Sequence, residues 1–303
     1  MSFAQFAPDL ARPSTAGLVH LLILRTLIAG RRYVSKKEAE SNHMIPAGGH
    51  PPSPGAVSWG VDTIHTLQGP HGETPGQNRR SIKLTSKTTF DVGADKPYLS
   101  LLMTIDATHV PTGCATWPSF WMANENAWPK RGEVDMIEGT NLDTKVGTTL
   151  HTCGPRSAAD PKHSRNCAGA SKCTMQNVST SDFTGSWSKG EAAPAAFNCD
   201  IADTPAQYVN QGCGIQGADG SYGEPFNTAQ GGVFATEWSL RDLGDDAEGP
   251  LDVPHIATWF FPRSALPLPS DQWGPDGPDT STVSTCDPLR VPVVTLMIPG
   301  IFP

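Results

Sequence analysis

Gly132-Glu133-Val134-Asp135-Met136-Ile137-Glu138-Gly139 places three carboxylates within six residues of a segment otherwise built from Val, Met and Ile. An apolar, β-prone run has no structural need for acids at that density. In a regular strand, residues 133 and 135 share a face and 138 has the wrong parity. One extra residue in the strand, a β-bulge, brings Glu138 round to join them. The two glutamates then stand about two strand steps apart, close to the ~5–5.5 Å carboxyl separation of retaining glycoside hydrolysis. An acidic edge strand with alternating charges is the plainer alternative, and the flanking residues weigh against it.

Those flanks are aromatic. Upstream lie Thr116-Trp117-Pro118-Ser119-Phe120-Trp121-Met122 and then Trp128-Pro129; downstream comes Thr148-Thr149-Leu150-His151-Thr152. Sugars present CH faces that stack on indole rings and hydroxyls that need polar partners. Tryptophans beside paired carboxylates therefore suit a carbohydrate cleft. A lone Trp reads as core, but three within twelve residues, next to three acids, read as a site.

At these residues the chain resembles glycoside hydrolase family 16, and within it the fungal laminarinase-like endo-β-1,3(4)-glucanases. Glu-x-Asp-x-x-Glu, with its extra residue, matches the bulged branch of that family. Further similarity lies in Arg79–Leu84, Gly212-Cys213-Gly214, Ser221-Tyr222-Gly223, Phe226-Asn227, Gly231–Trp238 and Thr258–Arg263. The resemblance runs from about Val57 to Cys286. It implies an all-β fold, a β-jelly-roll sandwich of two curved antiparallel sheets (concanavalin A-like) with the concave face forming the substrate cleft. It also implies Glu133 as nucleophile and Glu138 as general acid/base. Asp135 is expected to hydrogen-bond Glu133 and tune it. Trp121 and Trp128 are the expected stacking platforms, with Trp117 assigned to the core. His151 is expected to bond the sugar or Glu138, and Asn227 to meet a sugar hydroxyl. Glu237 is expected in the cleft, with Trp238 in the core. The partner so implied is a β-glucan polysaccharide. No cofactor and no metal are expected, and the chain is taken as a monomer of the extracellular space or cell wall.

Composition is consistent with this. Thirty Gly and 28 Pro among 303 residues suit many turns between short strands. A net charge of −8 without a basic stripe argues against nucleic acid. The seven cysteines, Cys114, Cys153, Cys167, Cys173, Cys199, Cys213 and Cys286, lack Cys-x-x-Cys pairs, which disfavours zinc and suits disulfides of a secreted protein. The Asn177-Val178-Ser179 sequon fits the same compartment. Seven is odd, and Cys286 is the expected unpaired thiol. The polar, cysteine-bearing stretch 153–210 is too long for an unsupported loop and is expected at the cleft rim, tied by disulfides.

The two ends depart from the family pattern. Residues 1–56 are expected to be a poorly ordered extension, 57–287 an incomplete catalytic domain, and 288–303 an exposed tail. Leu18–Ala29 is apolar but too short to span a bilayer and carries His20 and Arg25. It also lacks the flanks of a secretory signal. Three further readings stand beside the hydrolase: a non-hydrolytic β-glucan binder, an inactive truncated product, and a transglycosylase on the same scaffold.

Overall fold

The computed structural model describes residues 18–25, 32–45, 58–65, 79–89, 100–124, 128–154, 207–240, 255–265 and 294–297, together with 159, 167, 174–175, 178–181, 183–189 and 195–202. Its strands, in chain order, are β1 (Leu18–Arg25), β2 (Arg32–Tyr33), β3 (Arg80–Ser81), β4 (Leu84–Thr89), β5 (Ser100–Ala107), β6 (Trp117–Ala123) and β7 (Glu133–Glu138). They continue with β8 (Gly147–His151), β9 (Ser186–Trp187), β10 (Cys213–Gln216), β11 (Gly232–Ser239), β12 (His255–Pro262) and β13 (Val294–Met297). Two short helices, α1 (Lys36–Ser41) and α2 (Gly223–Thr228), and a 3-10 turn at Arg263–Ala265 complete the described elements.

Seven strands form one antiparallel sheet in the order β4-β1-β6-β7-β8-β10-β9, and four form a second, β13-β12-β11-β5. The two pack face to face as an all-β sandwich. Alternation decides which side chains meet between them. The first sheet contributes Phe120, Met122, Val134, Ile137, Leu150 and Ile215; the second contributes Met103, Ile105, Phe234 and Ile256. Phe226 of α2 closes one end, its ring 5.8 Å from that of Phe234, which in turn stacks on Phe260 at 4.8 Å. Trp238 packs against this core, as its parity requires.

The ends differ from their sequence expectation. Leu18–Arg25 is not a loose extension but an interior strand of the seven-stranded sheet, running from Leu18↔Ala123 to Arg25↔Trp117 against β6. A short, mostly apolar run fits a strand as well as it fits a helical segment, so periodicity alone does not separate them. Met44, within the stretch expected to be poorly ordered, is 1% exposed in the core. At the other end, Val294–Met297 pairs with β12 from Thr258↔Val294 to His255↔Met297. It supplies hydrogen-bond partners to what is otherwise an open edge.

One buried carboxylate holds the region between α1 and β3. Asp62 is 2% exposed and accepts from Arg80 Nη1 (2.9 Å), from the backbone of Ile64 (3.0 Å) and His65 (3.1 Å), and pairs with the His65 ring. Arg80 Nε reaches on to Glu38 at 3.1 Å, and Arg79 Nη1 donates to the Asp62 carbonyl at 3.0 Å. Burial pushes the Asp62 carboxyl up, but the His65 and Arg80 hydrogen bonds and the two backbone donors outweigh it and bring it down to about 2. The native value is depressed, so the stabilisation is complete above the unfolded value near 3.8 and is lost as pH falls from there toward 2. That difference corresponds to about 2 kcal/mol. Asp62→Asn should abolish this part of the acid-induced loss, and denaturant unfolding of both proteins at pH 3 and pH 7 measures it.

Candidate active site

The register around β7 shows how the three acids meet. Asp135 faces Thr149 of β8 and Trp121 of β6; three residues on, Glu138 faces Gly147 and Ser119. Two residues are used on each neighbour where three are used on β7, so β7 carries one extra residue. This is the bulge that the spacing demands. Thr148 Oγ1 donates to the Met136 carbonyl at 3.0 Å and pins it. Glu133, Asp135 and Glu138 consequently share the face of the sheet away from the core, with Trp117, Ser119, Trp121 and Ala123 of β6 and Thr149 and His151 of β8.

The two glutamates are each held by an indole. Trp128 Nε1 donates to Glu133 Oε2 at 2.6 Å, and Trp117 Nε1 donates to Glu138 Oε1 at 2.6 Å. An indole N–H can only donate, so each bond favours the ionised carboxylate and fixes one of its oxygens. Trp128 is brought to Glu133 by the tight β6–β7 connection, where Gly132 N returns to the Pro129 carbonyl at 2.9 Å. Trp117 is a correction to the sequence reading, which assigned it to the core. It is only partly buried and shares the odd parity of Trp121, which is the signal that finds it.

Asp135 is fully buried, and its partners are not those expected. Oδ1 accepts from Ser119 Oγ at 3.2 Å, and Oδ2 lies 2.9 Å from His151 Nε2. The expected bond to Glu133 gives way to these two neighbours across the strands. His151 in turn meets Asp135 rather than Glu138. Burial pushes the His151 imidazole down, but the Asp135 hydrogen bond and the charges of Asp135, Glu133 and Glu138 outweigh it and hold it above its ordinary value. The sign of the linkage is that of a raised histidine: its stabilisation is full below about 6.5 and fades as pH rises through the higher native value. His151 Nδ1 is buried and unpaired, packed where Gly212, at φ +68°, passes close by. A β-carbon at 212 would stand 2.8 Å from that nitrogen and 2.5 Å from the Leu150 carbonyl, so only glycine fits there.

The expected binding residues divide. Trp121 stands on the site face but is 3% exposed, packed with Trp128 and with Lys83 Nζ 5.9 Å from its ring centre. Asn227 is not a free hydroxyl partner: Oδ1 accepts from Val110 N at 2.8 Å and Nδ2 donates to the Val110 carbonyl at 2.9 Å, which occupies the amide in bracing that loop. Glu237 lies on β11 in the other sheet, on the side opposite the core, 3.5 Å from His255 Nε2. Strand parity places Glu237 and Trp238 on opposite sides, as expected, but the sheet is not the one bearing the acids. The expectation of a cleft position for Glu237 is therefore corrected.

The stretch after His151 is stapled beside the site. Cys153 pairs with Cys167 and Cys199 with Cys213, and Cys213 faces Leu150 across the β8–β10 ladder. Each bridge closes a loop of about 15 residues, worth ~3 kcal/mol in the chain-entropy account. Cys114 is exposed and unpaired among the described residues. Cys286, the expected free thiol, Cys173 and the sequon asparagine lie outside them.

A bulged strand in a β-sandwich carrying two glutamates on one face, each with an oxygen fixed by an indole, is an arrangement compatible with two-carboxylate glycoside hydrolysis. The sequence matches the family described as XgeA-like, catalytic GH16 domain, over residues 30–287, and the chain belongs to glycoside hydrolase family 16. That match begins well before residue 57, consistent with the ordered elements found upstream of it. The chain is 33% identical over 247 residues to an endo-1,3(4)-β-glucanase of Arthroderma benhamiae, covering 80% of this chain and 41% of that protein. It is 34% identical over 190 residues to a probable glycosidase of Schizosaccharomyces pombe, covering 62% of this chain and 34% of that one. The chain thus spans well under half the length of these curated relatives. Among solved structures, it is similar to an elongating GH family 16 β-1,3-glucosyltransferase, with 28% identity and a TM-score of 0.57 over 97% of this chain and 71% of the other. It also shares the fold of laminarinase 16A from Phanerochaete chrysosporium, with 24% identity and a TM-score of 0.55 over 93% and 78% of the two chains. Among the described residues no helix is long and apolar enough to cross a membrane.

Proposed function

We propose that this chain hydrolyses internal β-1,3, or mixed β-1,3/1,4, glucosidic bonds by a retaining double displacement. The observation that carries the reading is the bulge in β7, which puts Glu133 and Glu138 on one face with separate indole partners. Glu133, ionised, attacks the anomeric carbon as the glycosidic C–O bond breaks. Glu138 gives its proton to the departing oxygen, then takes one from the water that releases the glycosyl ester. Asp135 and the raised His151 act as positioning residues between them. Glu133 and Glu138 are both present, which supports an enzyme over a β-glucan binder. The relatives' names support the substrate class, and with the disulfides they support an extracellular or cell-wall setting; the catalytic unit is read as a monomer. Reducing-sugar release from laminarin, with Glu133→Gln as control, tests the reading. Release by both proteins, or by neither, ends it.

Transfer to a sugar acceptor instead of water is the second reading, favoured by the likeness to the elongating glucosyltransferase. The same acid arrangement serves both, so product analysis at high oligosaccharide concentration separates them.

Trp117→Phe keeps the ring and removes the N–H from Glu138. The expected result is a roughly 10-fold or greater fall in kcat on laminarin. The basic limb of the kcat/KM profile should also move to higher pH, since an ionised carboxylate that loses a donor is disfavoured. A fall in kcat with an unmoved limb would assign Trp117 to packing alone.

A further inference from the structure

We propose that Tyr222 is a positioning residue for Glu138, acting through the Pro118 carbonyl to hold the Glu138 carboxyl against the Trp117 indole; this rests on Glu138 being the general acid/base. Glu138 sits where the strand itself gives least support. The bulge interrupts the β7 ladder after Asp135, and pairing with β8 resumes only at Glu138, the last residue of the strand. Its partners across the strands are Ser119 on β6 and Gly147 on β8. One dipeptide, Ser221-Tyr222, just before α2, ties down the chain beside each of them.

On the β8 side, Ser221 Oγ accepts from Val146 N at 2.9 Å, and the Thr144 carbonyl accepts from Tyr222 N at 3.2 Å. The segment that leads into Gly147 is thereby fixed. On the β6 side, Pro118 follows Trp117 and, being proline, offers its neighbours only a carbonyl. That carbonyl accepts from Gly139 N and from the Tyr222 hydroxyl, each at 3.3 Å. Gly139 follows Glu138, so one oxygen joins the chain next to the carboxylate to the chain next to the indole.

Tyr222 arrives from the core side. Parity turns position 139 toward the core when Glu138 faces the site. A β-carbon at Gly139 would stand 2.3 Å from the Tyr222 ring, so the ring fills the space of the missing side chain. Tyr222 is 2% exposed. Burial, and then the charges of Glu138 and Asp143, hold its phenol well above the ordinary value, so it stays a donor. The ring alone fills the space; what the hydroxyl adds is a restraint on β6 against β7. A slip between those strands here falls directly on the 2.6 Å Trp117–Glu138 bond.

Tyr222→Phe keeps the ring and leaves the Pro118 carbonyl its Gly139 donor, so the fold should stand. On laminarin, kcat/KM should fall roughly three- to ten-fold. On a dinitrophenyl β-laminaribioside, whose phenolate leaves without a proton, it should stay within about two-fold. The basic limb on laminarin should move to higher pH, because a slackened indole bond favours the ionised carboxylate less. Glu133, Asp135 and His151, the other charged groups of this face, are unaltered. Both substitutions act on one bond, so Trp117→Phe/Tyr222→Phe should lose no more than about two-fold beyond Trp117→Phe alone. An unchanged laminarin value, equal losses on the two substrates, an unmoved limb, or losses that multiply in the double variant overturn the proposal. If the wild type turns over neither substrate, the hydrolase reading has failed, and proton–nitrogen spectra of the indole groups judge Tyr222 alone. The Trp117 resonance, identified by its loss in Trp117→Phe, follows the titration of Glu138. A midpoint raised by roughly 0.3 or more in Tyr222→Phe supports the positioning role, and a smaller change rejects it.

Discussion

Glu133→Gln is expected to lose at least ~1,000-fold in laminarin hydrolysis, about 4 kcal/mol of transition-state stabilisation. The amide is nearly isosteric and still accepts the Trp128 N–H, so the fold should not register the change. What disappears is the negative charge that attacks the anomeric carbon. Glu138→Gln should be comparably damaging on laminarin, whose alkoxide leaving group needs a proton, and far less so on an aryl glycoside whose phenolate leaves unaided. This difference between substrates assigns the two roles. Equal losses on both substrates for Glu138→Gln would remove it from the acid role. Retained activity in either variant would place the chemistry elsewhere. Thermal melts of each variant beside wild type check that charge, and not folding, was lost.

The second large effect is on stability and lies in the sheet remote from the acids. Gly231 has φ +85°, and a β-carbon added there would sit 1.9 Å from the Ala107 carbonyl oxygen and 2.7 Å from Thr108 Cα. Both contacts are backbone and cannot move aside as a side chain would. Gly231 N also donates to the Phe226 carbonyl at 2.8 Å, and its own carbonyl accepts from Arg263 N at 2.9 Å. Arg263 in turn pairs with the buried Asp106 through both terminal nitrogens. One glycine thus joins α2, the start of β11 and the end of β12. Gly231→Ala combines left-handed strain of ~1–2 kcal/mol with a clash that must shift β5. A total near 3 kcal/mol is expected, or a fall of about 6–12 °C in Tm. Activity at low temperature should survive, because no site residue is touched. A Tm within about 2 °C of wild type would show that β5 yields easily.

The misplacements share one physical cause. Local pattern determines which residues alternate, and so it placed Glu133, Asp135 and Glu138 on one face and Glu237 and Trp238 on opposite ones; the resemblance put Trp238 in the core. Pattern does not say which sheet a strand joins or what meets a side chain across the strands. Glu237 carries the parity of a functional residue but lies in the sheet without the acids. Asn227 is polar and sits near a loop, yet Val110 already occupies both ends of its amide. Asp135 finds Ser119 and His151, sixteen residues away in each direction, ahead of the glutamate two positions before it. The N-terminal run was misread because a short, mostly apolar stretch carries no clear period, and only the β6 ladder identifies it as a strand.

By itself, then, the sequence determined the candidate site of this protein: a bulged acidic strand, the tryptophans beside it and an all-β frame. Spacing along a strand is local covalent geometry, which residue order states directly. The tertiary structure alone decided which indole holds which carboxylate, that His151 pairs with Asp135, and that both odd ends supply strands. Those are contacts between segments far apart in the chain, selected by competition among all possible partners for the same buried positions, and no local stretch contains the outcome of that competition.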